Sequence, residues 1–192
     1  MKLTCLAHTG AALACLLTLA ACSPAETMTS TPGLSASEDE VQTGVLSAFS
    51  TTDLEGNTLD QSILADYDLT MVNVWATFCG PCINEMPDLG ELAAEYADKG
   101  VQIIGLVSDT MDSDGTISDS QVETAKEIVA ETGADYRHLL PSDDLLGILS
   151  QIYAVPTTFF VDSAGVQVGD AIRTAQSKTK WIETLEGMHA EV

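Results

Sequence analysis

Cys79 and Cys82 stand three positions apart in the stretch NVWATFCGPCINEMPDL, residues 73–89. Such a pair can staple a fold, supply part of a metal site, or pass electrons by thiol–disulfide exchange. As a staple it would close a loop of only four residues. Chain entropy gives so short a loop about 2 kcal/mol, against about 3 for fifteen residues. A metal reading is weaker still. Zinc takes four ligands, commonly two cysteine pairs or one pair with histidines. His138 and His189 are far away in sequence and in no ligand spacing, and both read as surface residues. No metal ligand set and no cofactor site is expected.

Electron exchange uses the spacing directly. An apolar run ends at Ala76, and Pro81 marks the start of a helix. A sulfur at that start faces unpaired amide N–H groups and the positive end of the helix dipole. Both favour an anion, so the Cys79 thiol should ionise below its ordinary value of about 8.5. The thiolate is the attacking species in exchange. Cys82 lies one turn on and can turn back to resolve a mixed disulfide. Gly80 leaves room for a partner backbone, and Pro81 fixes the turn without needing a donor.

The elements that must hold this pair follow from patterning. Val45–Phe49 reads as a short strand and Asp53–Asn57 as a turn. Leu69–Ala76 is a β-branched apolar run, a buried strand. Residues 81–98 form a helix that stops at Gly100, with Pro87 expected to kink it. Val101–Val107 is a second buried strand, followed by a loop. A helix over 119–132 has Ser118 and Ser120 as candidate N-caps and ends at Gly133. A short strand near 136–140, a short helix within 143–153, a hairpin over 157–171 and a helix from 179 to 188 complete the chain. Strands alternating with helices imply right-handed crossovers and a parallel core, and the hairpin adds an antiparallel edge. Patterning alone supports an α/β class.

The same residues carry a resemblance. NVWATFCGPCINEMPDL is similar to the active-site segment of thioredoxin-fold proteins, closest to the membrane-anchored TlpA/ResA group of thiol–disulfide oxidoreductases. That group shows W-A-x-x-C-x-P-C followed by Glu and Pro, here Glu85 and Pro87. VPTTFFVDSAG, residues 155–165, resembles its second signature. The resemblance implies a thioredoxin-like three-layer fold, with a mixed central sheet and helices on both faces. It implies Cys79 and Cys82 as the catalytic redox disulfide. It also implies that Pro156 is a cis-proline facing them, and that Gly80, Pro81, Val155 and Pro156 line the groove for protein disulfide substrates. Electrons would come from a membrane thiol donor. The pattern departs at three places. Phe78 replaces a frequent Trp. Gly80 replaces the Glu of ResA-type proteins. Asn73 stands where ordinary thioredoxins keep a buried acid, which leaves the proton acceptor for Cys82 unassigned.

Two other classes compete. A peroxidase of peroxiredoxin type carries Pro and Thr seven and three residues before its cysteine, where this chain has Val72 and Ala76. A non-catalytic binding module or metal chaperone would not need intact cysteines in the active spacing.

The chain-level features set the compartment. With 192 residues, 45% of them apolar, one domain with a full core is expected. A formal charge of −22 excludes a nucleic-acid partner, which requires basic surface, and supplies no polybasic patch for anionic lipid. Residues 1–21 form a short apolar leader behind Lys2. Leu19-Ala20-Ala21-Cys22 resembles the lipobox of bacterial lipoproteins, which implies lipidation at Cys22 and attachment to the extracytoplasmic face of a membrane. Residues 22–44 are rich in Ser, Thr, Pro, Glu and Gly and read as a flexible tether, leaving 45–192 as the folded domain. Cys5 and Cys15 depart with the leader. Cys79 and Cys82 then remain as the only free pair, in a compartment where disulfides form.

Overall fold

The computed structural model describes residues 44–192. The leader, Cys22 and the tether up to residue 43 lie outside the described residues. Eleven elements run in the order β1 (Ser50–Thr52), β2 (Thr58–Asp60), β3 (Leu69–Trp75), α1 (Gly80–Tyr96), β4 (Val101–Val107), α2 (Asp119–Thr132), β5 (Arg137–Leu139), α3 (Leu146–Leu149), β6 (Thr157–Asp162), β7 (Gln167–Ile172) and α4 (Lys178–His189). The central sheet has the order β5-β4-β3-β6-β7. β3 pairs parallel with β4 and antiparallel with β6, and β4 pairs parallel with β5. β3 is thus the middle strand, and all seven of its residues are buried. Covering on both faces explains why it reads as an unbroken apolar run.

Alternation along β3 sorts the core. Val72 and Val74 face one side with Leu46, Phe49, Leu64, Phe159 and Leu145. Leu69 and Met71 face the other with Leu89 and Leu92 of α1 and Trp181 and Leu185 of α4. Trp75 continues that second face among Cys79, Cys82, Met86 and Ala125 of α2. The layers are helices α1, α2 and α4, then the sheet, then α3 with the N-terminal segment. This is the mixed α/β, three-layer, thioredoxin-like arrangement.

Two local expectations are corrected, at Val45–Phe49 and at the Ser118 cap. Val45–Phe49 is not a strand. Leu46 and Phe49 enter the core from a turn, and the strand begins at Ser50. α1 runs continuously through Pro87, which is exposed. Ser118 occupies the N-cap position of α2, but its side chain makes no capping bond. The short hairpin β1–β2 covers the outer edge of β5: Leu54 N–H donates to His138 O at 3.0 Å, and Leu140 N–H to Thr52 O at 2.8 Å.

Candidate active site

The end of β3 delivers the cysteines. A turn closes from Ala76 to Cys79, whose N–H donates to Ala76 O at 3.0 Å. Cys79 is then the N-cap of α1: its backbone is extended and its Sγ accepts the Cys82 N–H at 3.3 Å. A sulfur has taken the place where Ser or Asp ordinarily caps a helix. Cys79 and Cys82 are joined as a disulfide with their Cα atoms 5.3 Å apart. Cys79 keeps 5% of its surface exposed and Cys82 none. The two residues thereby differ in burial, Cys79 keeping what exposure the pair has.

Around them the other sequence-named residues take distinct places. Gly80 and Pro81 are exposed at the start of α1, and a Cβ at Gly80 would meet nothing within 4 Å. The Val155–Pro156 bond is cis. Pro156 is buried, while Val155 packs against the cluster that contains both cysteines. Val155 also lines a cavity of about 330 Å³ with Phe78, Ser108, Asp109, Ile152 and Tyr153. Phe78 and Tyr153 are 77% and 79% exposed, two large apolar rings left in solvent beside the disulfide. Among the described residues no group of three or more His, Cys, Asp or Glu side chains gathers as a metal site.

Sequence reasoning missed the chemistry of two buried groups on the α1 face. Glu85 follows Cys82 by one turn and is 3% exposed. Its Oε1 accepts from Asn73 Nδ2 at 3.2 Å, and its Oε2 accepts from Gln176 N–H at 3.0 Å and Trp181 Nε1–H at 3.2 Å. Burial pushes this carboxyl above its ordinary value, partly opposed by those three donors, and Asp88 adds to the rise. A signal for it existed. The buried stripe of α1 reads Cys82, Glu85, Met86, Leu89, Leu92, Tyr96, so an acid sits in line with the core residues. Asn73 is thus the hydrogen-bond partner of a buried acid carried on the helix.

His138 is the second group, and the expectation that it lies on the surface is wrong: it is 2% exposed. Its Nδ1 accepts from Trp75 Nε1–H at 3.1 Å and its Nε2 lies 3.0 Å from Ala134 O. The Trp donor requires a bare Nδ1, so the proton is on Nε2 and is given to Ala134 O. Burial holds the ring neutral, with its pKa lowered to about 4. Trp75 on β3 reaches His138 on β5 across β4. Gly105 opens that passage, since a Cβ there would stand 2.1 Å from Nδ1 and 3.0 Å from the Trp75 nitrogen. His189, in contrast, is half-buried at the end of α4.

A mixed five-stranded sheet with a disulfide at a helix start and a neighbouring cis-proline is the arrangement of thioredoxin-like redox proteins. The redoxin family profile matches residues 36–179. The thiol–disulfide oxidoreductase ResA of Bacillus thuringiensis (strain Al Hakam) is 30% identical over 156 residues, 81% of each chain. The thiol:disulfide interchange protein DsbE of Yersinia pestis is 31% identical over 121 residues, covering 62% of this chain and 57% of that one. The fold is shared with MTB DsbF (TM-score 0.59, 22% identity, 75% of this chain and 96% of that one). It is shared also with a thioredoxin-family thiol:disulfide interchange protein of Chlorobium tepidum TLS (TM-score 0.61, 22% identity, 74% and 93%). The chain belongs to the redoxin family, as a ResA-like thiol–disulfide oxidoreductase of the thioredoxin superfamily.

Proposed function

We propose that this oxidoreductase is a lipid-anchored, extracytoplasmic reductase of protein disulfides. The Cys79 thiolate attacks one sulfur of a substrate disulfide, forming a mixed disulfide and expelling the other substrate sulfur as a thiolate. Cys82 then loses its proton and attacks Cys79 Sγ. The Cys79–Cys82 bond forms, the second substrate thiolate leaves, and two electrons have passed to the substrate. Glu85 is the proton acceptor for Cys82: it is enclosed with it on one helix stripe and its ionisation is hindered by burial, which suits a group that must take up a proton and give it back. Gly80, Pro81, Val155 and Pro156 line the groove for the substrate chain. A membrane dithiol donor restores the reduced pair.

The observation that supports this reading is the N-cap geometry of Cys79, whose sulfur accepts the Cys82 N–H while the residue keeps the 5% exposure that Cys82 lacks. The Cys-Gly-Pro-Cys sequence favours reduction. The lipobox-like Leu19–Cys22 segment supports residues 1–21 as a signal peptide, lipidation of Cys22 and a tether over 22–44 that lets the 45–192 domain reach its partners. Among the described residues no helix is long and apolar enough to cross a membrane.

The test is the potential of the Cys79–Cys82 couple together with insulin reduction. A potential nearer the about −270 mV of thioredoxin than the about −120 mV of DsbA supports a reductase. A value at the oxidising end overturns the direction, and loss of insulin reduction in Cys79→Ser is required of the mechanism. Cys82→Ala should hold substrates as mixed disulfides, and radiolabelled palmitate should enter the full chain but not Cys22→Ala.

A further inference from the structure

The turn that presents Cys79 is gripped from the neighbouring strand. Ser108 and Asp109 directly follow β4. Ser108 donates to Trp75 O through both its N–H at 2.8 Å and its hydroxyl at 2.9 Å. Asp109 takes the next residue but one: its carboxylate accepts the Thr77 N–H at 3.1 and 3.0 Å and the Thr77 hydroxyl at 2.6 Å. Gln121 of α2 reaches the same residue, its Nε2 lying 3.4 Å from both Asp109 O and Oδ2. Thr77 fills a variable position of the W-A-x-x-C-x-P-C motif, and Asp109 lies outside it.

This grip matters because little else holds the turn. Phe78, between Thr77 and Cys79, projects into solvent. The turn's own closure is the single Cys79 N–H to Ala76 O bond. Three hydrogen bonds from one carboxylate therefore set the backbone two residues before the sulfur, and charge-assisted bonds of this kind are the strong ones. Where Cys79 Sγ sits relative to the Cys82 N–H follows from that backbone. Asp109 also lines the cavity beside Phe78 and Val155, so the grip is made beside the groove proposed for the substrate chain.

We propose that Asp109 is a positioning residue for Cys79: through Thr77 it fixes the 76–79 turn so that the sulfur is held as the cap of α1 and Phe78 is turned outward. The inference rests on the reading of Cys79 as the attacking sulfur. The ionisable groups around the turn and the strand end leading to it include Asp109 from the β4–α2 loop, Glu85 from α1, Tyr136 and His138 at β5 and Tyr153 before β6, and of these Asp109 alone bonds the turn itself.

The experiment uses the full chain, reduced, with the rate of Cys79 alkylation by iodoacetamide followed against pH by peptide mass and insulin reduction measured in parallel. Asp109→Ala should slow alkylation at neutral pH about tenfold, since a displacement of about 1 Å at a reacting atom can cost more than that, and should move the pH midpoint upward. Asp109→Asn keeps an acceptor for the Thr77 N–H and a donor for its hydroxyl oxygen. It should restore most of the rate, with the midpoint at or below that of the parent because a negative charge is gone. Thr77→Val, which deletes only the hydroxyl bond, should fall between the parent and Asp109→Ala. Should Asp109→Ala fail to fold, Thr77→Val decides. Parental rate and midpoint in Thr77→Val, or in a folded Asp109→Ala, overturn the positioning role. A parent chain that does not reduce insulin overturns the attacking-sulfur reading instead, which an active parent with unaffected variants would leave standing.

Discussion

Two buried ionisable groups lie on the same face of the sheet, and β3 touches both. Asn73 meets Glu85; two residues on, Trp75 meets His138. Their surroundings differ in kind. Both His138 nitrogens are spoken for in one protonation state only, a bare Nδ1 and a protonated Nε2. The ring is a neutral strut, locked by its partners. Glu85 has three N–H donors, which suit the carboxylate, inside an enclosure that opposes it. Its two protonation states are brought closer together in free energy. One strand thus supports a ring held neutral by its partners and a carboxyl whose charged form burial opposes, and the second lies one helical turn beyond Cys82.

The largest expected disturbance separates the strut from the chemistry. Gly105→Ala drives a methyl into His138 Nδ1 and strands the Trp75 N–H, for a loss of about 4 kcal/mol from overpacking and an unpaired buried donor. Urea unfolding measures it, and the folded fraction should still reduce insulin at close to the parental rate. Equal loss of specific activity would erase the distinction between the two groups.

The pH dependence of stability comes next. The unfolded chain protonates His138 near 6.5 while the folded chain resists until about 4. The unfolded state therefore binds more protons across that window, and stability climbs with pH by a total of about 3 kcal/mol between them. Denaturation at a series of pH values should show that climb, and His138→Leu should flatten it while lowering stability at neutral pH.

Glu85→Gln probes the other partner. Resolution of a trapped mixed disulfide should slow about 100-fold, the lower range of a general acid–base contribution, with the melting temperature at pH 7 unchanged or raised. A parental resolution rate would move the proton acceptor elsewhere. The smallest effect is the Glu85 share of the pH profile, opposite in sign to that of His138. Because its folded-state pKa is raised, the folded state binds more protons, and stability declines as pH rises above the ordinary carboxyl value of 4.5. Glu85→Gln should remove that decline and steepen the net climb that His138 causes.

Much of this arrangement was legible in the chain. β3, β4 and β6 are apolar runs bounded by Gly, Pro and polar turns, so their extents fall within a residue or two of expectation. The cysteines and their helix are marked by spacing, and the proline at 156 by the resemblance of residues 155–165 to a family signature. The N-terminal segment was misread because Leu46 and Phe49 are core residues on an irregular backbone, and a short apolar run without pairing looks like a strand. His138 was misread because its burial depends on Trp75 and on a glycine two strands' breadth of sequence away. Three separate segments converge there, and no local pattern encodes the convergence. Glu85 lay in plain sight as an acid within an apolar stripe, but its meaning depends on Trp181 and Gln176, which the fold brings in from the far end of the chain.

Asn73 has one more consequence. Its Nδ2 serves Glu85 and Thr158, while its Oδ1 has no partner. An amide is two-faced: turned by half a rotation about its last bond, it offers an oxygen where it had offered N–H. The same side chain can therefore greet a charged Glu85 as donor and a neutral one as acceptor. An aspartate at that position would lack the donor and would set a second negative charge against the first. A swivel of that carboxamide, with a turn of the Thr158 hydroxyl to donate to the incoming oxygen, would let Glu85, proposed here as the proton acceptor, change its charge without a shift of the backbone.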